Sequence, residues 1–379
     1  MTQDAVIVEA VRTPTGKRNG GLAGVHPADL SAHVLEALAE RTGIDPGLID
    51  DVVWGCVSQV GEQAADVART AVLSAGWPLS VAGTTVDRQC GSSQQALAFA
   101  VASVVAGHAD VVVAGGVEAM SRVPMGSNVA VGGNPFNGEG WVERFGEVMP
   151  NQGIGAEMIA KQWGLSRTQL DEFSLASHEK AAAAQSAGAF DAQIAPVAGV
   201  SKDEGIRSGG TLDALAKLKT VFAEDGVIHA GNASQISDGS AALLVMTADM
   251  AREQGLTPIA RVHTSVVVGS DPIIMLTGPI PATQKALKRS GLSVGDIGVF
   301  EVNEAFAPVP LAWLAEIGAD EKALNPLGGA IALGHPLGAS GARLATTLLH
   351  HMRDNGIRYG LQTMCEGGGQ ANATIFELL

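Results

Sequence analysis

Apolar residues along this chain recur in two alternating patterns. Short continuous apolar runs are typical of buried strands, and longer segments with apolar residues every three or four positions are typical of helices. The runs predict strands at 5–8, 49–57, 84–86 and 110–116, and the periodic segments predict helices at 27–42, 64–75 and 96–106. Strands that alternate with helices of this length are typical of parallel βαβ layers, so the N-terminal third predicts an α/β fold.

The pattern changes after residue 119. Residues 120–140 are rich in Gly, Asn and Pro, which predicts a long loop. Helices are predicted at 155–163 and 166–187, the second with Ser166 as its N-cap, and a buried strand follows at 241–246. We therefore interpret the middle of the chain as an insertion into the α/β scaffold.

The C-terminal third resembles the N-terminal third. Residues 41–49 contain Arg-Thr-Gly-Ile and Gly-Leu-Ile, and residues 289–297 contain Arg-Ser-Gly-Leu and Gly-Asp-Ile at a constant offset of 248. The same offset pairs residues 90–93 with 338–341. Chance similarity in a chain rich in Gly and Ala is the alternative, but the ordered agreement favours an internal duplication.

This duplication predicts the domain organisation. Residues 1–119 together with 237–258 would form the first α/β half, and residues 259–379 the second. Residues 120–236 would form a loop domain inserted into the first half.

Composition and charge narrow the class of protein. The chain has 379 residues, of which 46% are apolar and 48 are Gly, a composition typical of a compact enzyme. A net charge of −15 argues against binding to nucleic acid or to an anionic membrane surface. The N-terminus lacks the pattern of a signal peptide and no apolar run reaches about 18 residues, so we expect a cytoplasmic protein.

The three cysteines are the first candidates for chemistry. Cys56, Cys90 and Cys365 are odd in number and far apart, so neither a disulfide framework nor a zinc site is predicted. Cys90 lies where a strand ends and a helix begins, and residues 89–107 contain no charge, which predicts a helix buried on nearly every face. Backbone N–H groups and the helix dipole would lower the pKa of the thiol there. A nucleophile and a core thiol remain equal alternatives for Cys90 from this segment alone.

Three further segments carry reactive groups. His335 lies in a Gly-rich loop that the repeat pairs with the Cys90 loop, and Cys365 ends a predicted strand before residues 367–369, all Gly. Asn303 follows a third strand. Because parallel α/β sheets bind ligands at the carboxyl ends of their strands, these groups predict one crevice. Taken singly, His335 could be a loop histidine bound to backbone, and Cys365 a core thiol.

Taken together, these segments resemble the thiolase family, the acetyl-CoA acyltransferases, over the whole chain. The similar segments are Arg12-Thr13-Pro14-x-Gly16, Cys90-Gly91-Ser92, Gly231-Asn232-Ala233-Ser234, Asn303-Glu304-Ala305-Phe306, Gly334-His335-Pro336 and Cys365-x-Gly367-Gly368-Gly369. The resemblance implies two duplicated α/β halves in a layered αβαβα arrangement and assembly as a homodimer or homotetramer. It also implies coenzyme A as a substrate, with no metal and no permanently bound cofactor.

The resemblance assigns a role to each reactive group. Cys90 would attack the 3-keto carbon of a 3-ketoacyl-CoA with His335 as base, and Cys365 would protonate the acetyl-CoA carbanion that leaves. Free CoA would then take the acyl group, and the reverse reaction would be a Claisen condensation. Asn303, through a water, and His335 would hold the enolate oxygen, while the N–H groups of Cys90 and Gly367 would form a second oxyanion hole.

The resemblance also predicts the surface that binds CoA. Arg207 would face the nucleotide and Ser234 the pantetheine, and Ala305 and Phe306 would also bind CoA. Residues 202–219 contain four basic and three acidic residues, which contrasts with the acidic chain as a whole. A solvated helix face is the alternative reading of these charges.

The acyl substrate is less narrowly predicted. Residues 17–20, 150–152 and 234–239 look closest to actinobacterial thiolases of lipid and sterol side-chain breakdown, which favours a role in lipid degradation. Biosynthetic short-chain thiolases carry His-Met where this chain has Asn151-Gln152, which favours a larger acyl group. The alternatives are a biosynthetic acetoacetyl-CoA thiolase, another condensing enzyme with His or Asn in place of Cys365, and a non-catalytic thiolase-like lipid-binding protein.

Overall fold

The computed structural model describes residues 4–130 and 133–379. Its strands are β1 (Ala5–Arg12), β2 (Gly16–Lys17), β3 (Asp51–Gly55), β4 (Ala82–Val86), β5 (Val111–Ala119), β6 (Ser237–Thr247), β7 (Ala260–Gly269), β8 (Val299–Val302), β9 (Tyr359–Glu366) and β10 (Gln370–Leu378). Its helices are α1 (Pro27–Thr42), α2 (Val67–Ser74), α3 (Ser92–Val105), α4 (Ser127–Ala130), α5 (Glu139–Phe145), α6 (Gln152–Gln162), α7 (Arg167–Ser186), α8 (Leu212–Ala216), α9 (Ala248–Glu253), α10 (Pro279–Ser290), α11 (Pro308–Ile317), α12 (Ala330–Leu333) and α13 (Ser340–Asn355).

The strands form a continuous path in the order β4-β3-β5-β6-β1-β7-β10-β9-β8, with β2 beside β6. Strands β3, β4 and β5 are parallel, as are β8 and β9, and the other neighbours are antiparallel. Between β1 and β7 the pairing is limited to Ile7 and Ala260. The path therefore consists of two half-sheets joined at one narrow point.

The elements repeat with the offset that the sequence predicts. β3 and β8 begin at Asp51 and Val299, and β5 and β9 begin at Val111 and Tyr359. α3 and α13 begin at Ser92 and Ser340, again 248 positions apart. The order of elements is thus that of two similar halves, while the domain boundaries given above stay a prediction.

Apolar packing arranges these halves in five layers. One core cluster fills the space between the first half-sheet and α1 with α2, and a second surrounds α3 and α13 between the half-sheets. A third lies between the second half-sheet and α10 with α11. The αβαβα arrangement is therefore confirmed, and the starts of α3 and α13 meet at its centre.

Two predictions of local structure were wrong. α3 is not buried on nearly every face, because Phe99 is 48% exposed and Ala102 is also exposed on the side away from α13. The predicted loop at 120–140 contains α4 and the start of α5, with residues 131–132 of it outside the described part. Helix α7 begins as predicted, with a capping box between Ser166 and Gln169.

Within residues 4–130 and 133–379, no helix combines the length and the apolar character needed to cross a bilayer.

Candidate active site

The Cys90 loop is a tight turn between β4 and α3. The backbone N–H of Arg88 donates to Ser92 Oγ at 2.9 Å, and the Ser92 hydroxyl donates to the Gln89 carbonyl at 2.6 Å. Gln89 adopts a left-handed backbone with φ of 49°, which the side chain of Asp87 supports by accepting from the Gln89 N–H at 2.7 Å. The loop thereby holds Cys90 directly before the N-cap of α3.

The surroundings of Cys90 favour the neutral thiol. Its side chain is buried, and burial raises the pKa of Cys90 to about 12, with the carboxylates of Glu366 and Glu118 adding to the rise. The backbone N–H groups of Cys90 and Gly367 act in the opposite direction. The expectation of a lowered thiol pKa was therefore wrong, because loss of solvation outweighs the start of the helix. Cys90 needs a base.

A second thiol, that of Cys365, lies near Cys90. Cys365 is buried near the end of β9, and burial together with the nearby Cys90 raises its pKa well above 9.0. The glycines after it turn the chain sharply, with φ of 80° at Gly368 and 74° at Gly369. A Cβ at Gly369 would lie 2.7 Å from the carbonyl oxygens of residues 270 and 271, so only Gly fits there.

His335 is held as a neutral imidazole with Nε2 unprotonated. The Ser340 hydroxyl donates to the Pro336 carbonyl at 2.8 Å, so it accepts from His335 Nδ1–H at 2.6 Å. Burial, with a contribution from the guanidinium of Arg343, lowers the pKa of His335 to about 3. Nε2 therefore carries a lone pair and can accept a proton.

Asn303 lies beside this lone pair. It follows β8, where its backbone N–H donates to the Thr363 carbonyl at 3.1 Å. Its Nδ2 is 3.4 Å from His335 Nε2, and its Oδ1 has no hydrogen-bond partner in the described part of the chain. The side chains of Asn303, after β8, and His335, in the loop before α13, therefore lie side by side.

The predicted CoA-binding residues form two groups. The Ser234 N–H donates to the Ala305 carbonyl at 2.9 Å, and Ala233 pairs with Phe306, so these segments are adjacent. Arg207 instead contacts α7, where its backbone N–H donates to His178 Nδ1 at 3.1 Å.

A cleft next to Phe306 was missed by the sequence reasoning. Phe222 meets Phe306 edge-on with ring centres 6.0 Å apart, and it lines an open cleft of about 650 Å³. Arg167 and Lys219 also line this cleft. The cleft depends on contacts between distant segments, which no local pattern reveals.

Glu118 was also missed. This buried carboxylate accepts from the N–H groups of Val57, Ser58 and Gly338 at 2.9, 3.0 and 2.8 Å, and from Gln63 Nε2 at 2.7 Å. It ties the loop that carries His335 to the half that carries Cys90. A single acid in an otherwise apolar strand was the available signal.

A duplicated, layered α/β fold that carries two neighbouring buried thiols and a neutral histidine suits an acyltransferase. The family model described as the thiolase N-terminal domain matches residues 5–249, and that of the thiolase C-terminal domain matches residues 256–378. The chain belongs to the thiolase family.

Individual relatives cover the same length. A steroid 3-ketoacyl-CoA thiolase of Mycobacterium tuberculosis is 50% identical, over 99% of this chain and 94% of the relative. A 3-ketoacyl-CoA thiolase of Erwinia tasmaniensis is 46% identical over 99% of both chains. The crystal structure of the Bacillus anthracis acetyl-CoA acetyltransferase is 38% identical, with a TM-score of 0.92 over 100% of this chain and 99% of that one.

Proposed function

We propose that this thiolase cleaves 3-ketoacyl-CoA with free CoA, giving acetyl-CoA and a shortened acyl-CoA through an acyl-Cys90 intermediate. The observation that carries the proposal is the pair of buried thiols, Cys90 and Cys365, in a site that also holds a neutral His335. One thiol can hold an acyl group while the other moves a proton on carbon. A single activated cysteine would suit many enzymes, but a facing pair suits this reaction.

Acylation begins from neutral groups. His335 Nε2 accepts the Cys90 proton as the sulfur attacks the 3-keto carbon, so charge separates only as the new bond forms. The N–H groups of Cys90 and Gly367, which stabilise negative charge on the Cys90 sulfur, are also placed to stabilise the oxyanion of the tetrahedral intermediate.

Carbon–carbon cleavage follows. The intermediate collapses to the Cys90 thioester, and the bonding electrons leave as the enolate of acetyl-CoA. The Cys365 S–H donates its proton to the enolate carbon, while Asn303, through a water, and His335 stabilise the enolate oxygen. The CoA thiol then gives its proton to the Cys365 thiolate and attacks the Cys90 thioester. The Cys90 sulfur leaves and takes back its proton from His335, which releases the shortened acyl-CoA and restores both free thiols.

CoA would lie across the cleft beside Phe306. Ser234, Ala305 and Phe306 are proposed to bind its inner part, while Arg167 and Lys219, which line the cleft, supply positive charge that suits phosphate groups. Arg207 is proposed at the nucleotide end. No metal or bound cofactor enters these steps, and the part of the chain that the structure describes contains no cluster of three or more metal-binding side chains.

The acyl group would be larger than acetoacetyl. Asn151 caps α6, where its Oδ1 accepts from the N–H groups of Gly153 and Ile154 at 3.0 and 3.2 Å. Exposed Met149, Ile154 and Met158 give this helix start an apolar surface. The name of the M. tuberculosis relative supports a steroid-like acyl group, whereas the B. anthracis structure keeps acetoacetyl-CoA as the second candidate.

Assembly as a homodimer or homotetramer is part of the proposal. β4 lies at the end of the strand order and exposes its residues, while Phe99 of α3 and Leu79 are 48% and 80% exposed. An open strand edge next to exposed apolar side chains favours pairing with a second copy. Light scattering on the purified protein would give the mass of two or four chains, and a monomer would contradict this part.

A panel of short, long and steroid-like 3-ketoacyl-CoA substrates tests the reaction. Thiolysis is followed by the loss of substrate and the gain of acetyl-CoA. We expect the wild type to be active on the longer members and Cys90→Ser to be inactive on all of them. Unchanged thiolysis by Cys90→Ser would overturn the proposal, and activity confined to acetoacetyl-CoA would favour the second candidate.

A further inference from the structure

Glu366, the residue after Cys365, is an unusual carboxyl group. It ends β9, is fully buried, and neither of its carboxyl oxygens has a hydrogen-bond partner in the described part of the chain. Burial of a carboxyl group without partners is costly and rare, so its position needs an explanation. The reaction described above gives it no role.

The carboxyl group lies against the Cys90 loop. A Cβ placed on Gly91 would overlap Glu366 Oε1, so the two residues are in direct contact at the start of α3. The carboxylate of Glu366 raises the pKa of both Cys90 and Cys365, so it acts on both thiols. Glu366 is thus adjacent to the two reacting sulfurs without being one of the groups that react.

The groups around Glu366 stabilise its negative charge only weakly. The Arg88 guanidinium and the Asn372 N–H favour the ionised form, but Arg88 Nη1 donates to Gln370 at 2.9 Å, and its buried Nε has no partner among the described residues. Burial raises the pKa of Glu366 to about 8. Glu118, the other carboxylate that acts on Cys90, differs because four donors bind it.

We propose that Glu366 is a positioning residue that controls when negative charge can form on the two thiols. Its neutral form lets charge develop on Cys90 during attack, and its ionised form opposes that charge. The enzyme therefore carries a third ionisable group, besides Cys90 and His335, that sets the alkaline side of its pH profile. This inference rests on the proposed role of Cys90 as nucleophile.

Alkylation of Cys90 by iodoacetamide tests the inference without acyl transfer. Rates are measured from about pH 6 to about pH 10, and the modified peptide is identified by mass spectrometry. In the wild type, the rate should rise less steeply with pH once Glu366 ionises. Glu366→Gln should match the wild type at the acid end and react about tenfold faster at the alkaline end, which corresponds to about one pKa unit for Cys90.

Two further variants serve as a matched control and as a second test. Asp87→Asn removes an exposed carboxylate from the same loop and should follow the wild type, since Asn can still accept from Gln89. Arg88→Gln removes the cation that favours ionised Glu366, so the change of slope should move to higher pH even if Glu366→Gln does not fold. Parallel profiles for the wild type, Glu366→Gln and Arg88→Gln would overturn the inference. The proposed function would be untouched by that result if Cys90 still accepts acyl groups.

Discussion

The loops before α3 and α13 occupy equivalent positions in the two halves, yet they carry opposite chemistry. One presents the thiol of Cys90 and the other the imidazole of His335. Burial raises the pKa of the first to about 12 and lowers that of the second to about 3. The same loss of solvation therefore keeps an acid protonated and a base unprotonated, which is the starting state that proton transfer between them requires.

Ser92 and Ser340 are the first residues of α3 and α13. They occupy equivalent positions in the repeat but make different contacts. Ser92 bonds within its own loop, accepting from the Arg88 N–H and donating to the Gln89 carbonyl. Ser340, at the equivalent position, donates to the Pro336 carbonyl and accepts from His335 Nδ1. Ser92 shapes the backbone of the loop that carries Cys90, and Ser340 fixes the orientation of the His335 ring.

The largest expected effect comes from replacing His335, the proposed base. His335→Asn removes the proposed acceptor of the Cys90 proton and part of the proposed site for the enolate oxygen. We expect kcat/KM for thiolysis to fall about 10⁴-fold. Steady-state kinetics measure the effect, with thermal unfolding as the control for folding. A loss of less than about tenfold would show that Cys90 has another base.

Cys365→Ala separates the two halves of the reaction. Carbon–carbon cleavage should fall about 10³-fold because the enolate loses its proton donor. Acyl transfer from acetyl-CoA to Cys90 should remain, since it moves no proton on carbon. Both are measured on the same preparation. Loss of acylation with cleavage retained would contradict the roles assigned to the two thiols.

The two equivalent serines offer a matched pair of variants. Ser340→Ala frees the imidazole to rotate, and we expect kcat to fall about tenfold with little change in KM. Ser92→Ala leaves the imidazole fixed and should reduce kcat less. Kinetics on both variants, beside their unfolding free energies, test this order. Equal losses of kcat at equal stability would show that Ser340 has no special role in orienting His335.

The last prediction concerns the free energy of unfolding, which should fall toward both ends of the pH scale. The pKa of His335 is depressed from 6.5 to about 3, so its contribution to folding is lost as the pH falls through that range. The pKa of Cys90 is raised from 9.0 to about 12, so its contribution is lost as the pH rises through that range. Each group should add about 1.4 kcal/mol per pH unit to the slope of the unfolding free energy.

Urea unfolding across pH measures these slopes. His335→Asn should flatten the acid side alone, and Cys90→Ala the alkaline side alone. Identical slopes in all three proteins would contradict the burial argument.

The sequence predicted the parts of this site that local patterns and the repeat determine. Helix α1 spans the predicted residues, and the 248-residue offset places the Cys90 and His335 loops in equivalent positions. The structure adds that Ser234 and Phe306 lie in adjacent segments.

What the sequence could not predict depends on contacts between distant segments. The dipole of α3 predicted a lowered thiol pKa, but burial raises the pKa of Cys90, and the carboxylates of Glu366 and Glu118 from other strands add to the rise. The exposure of Phe99 could not be read from an uncharged helix, because composition does not show which face lacks a neighbour. The position of Glu366 against Gly91 likewise requires the folded chain.

The central claim is that the two loops act together to place an acyl group on Cys90. Mass spectrometry of peptides after brief incubation with acetyl-CoA tests it most directly. We predict one acetyl group on the Cys90 peptide in the wild type and in Cys365→Ala, and none at that time in His335→Asn. An acetyl group on Cys365 instead, or an equally acetylated His335→Asn protein, would contradict the account.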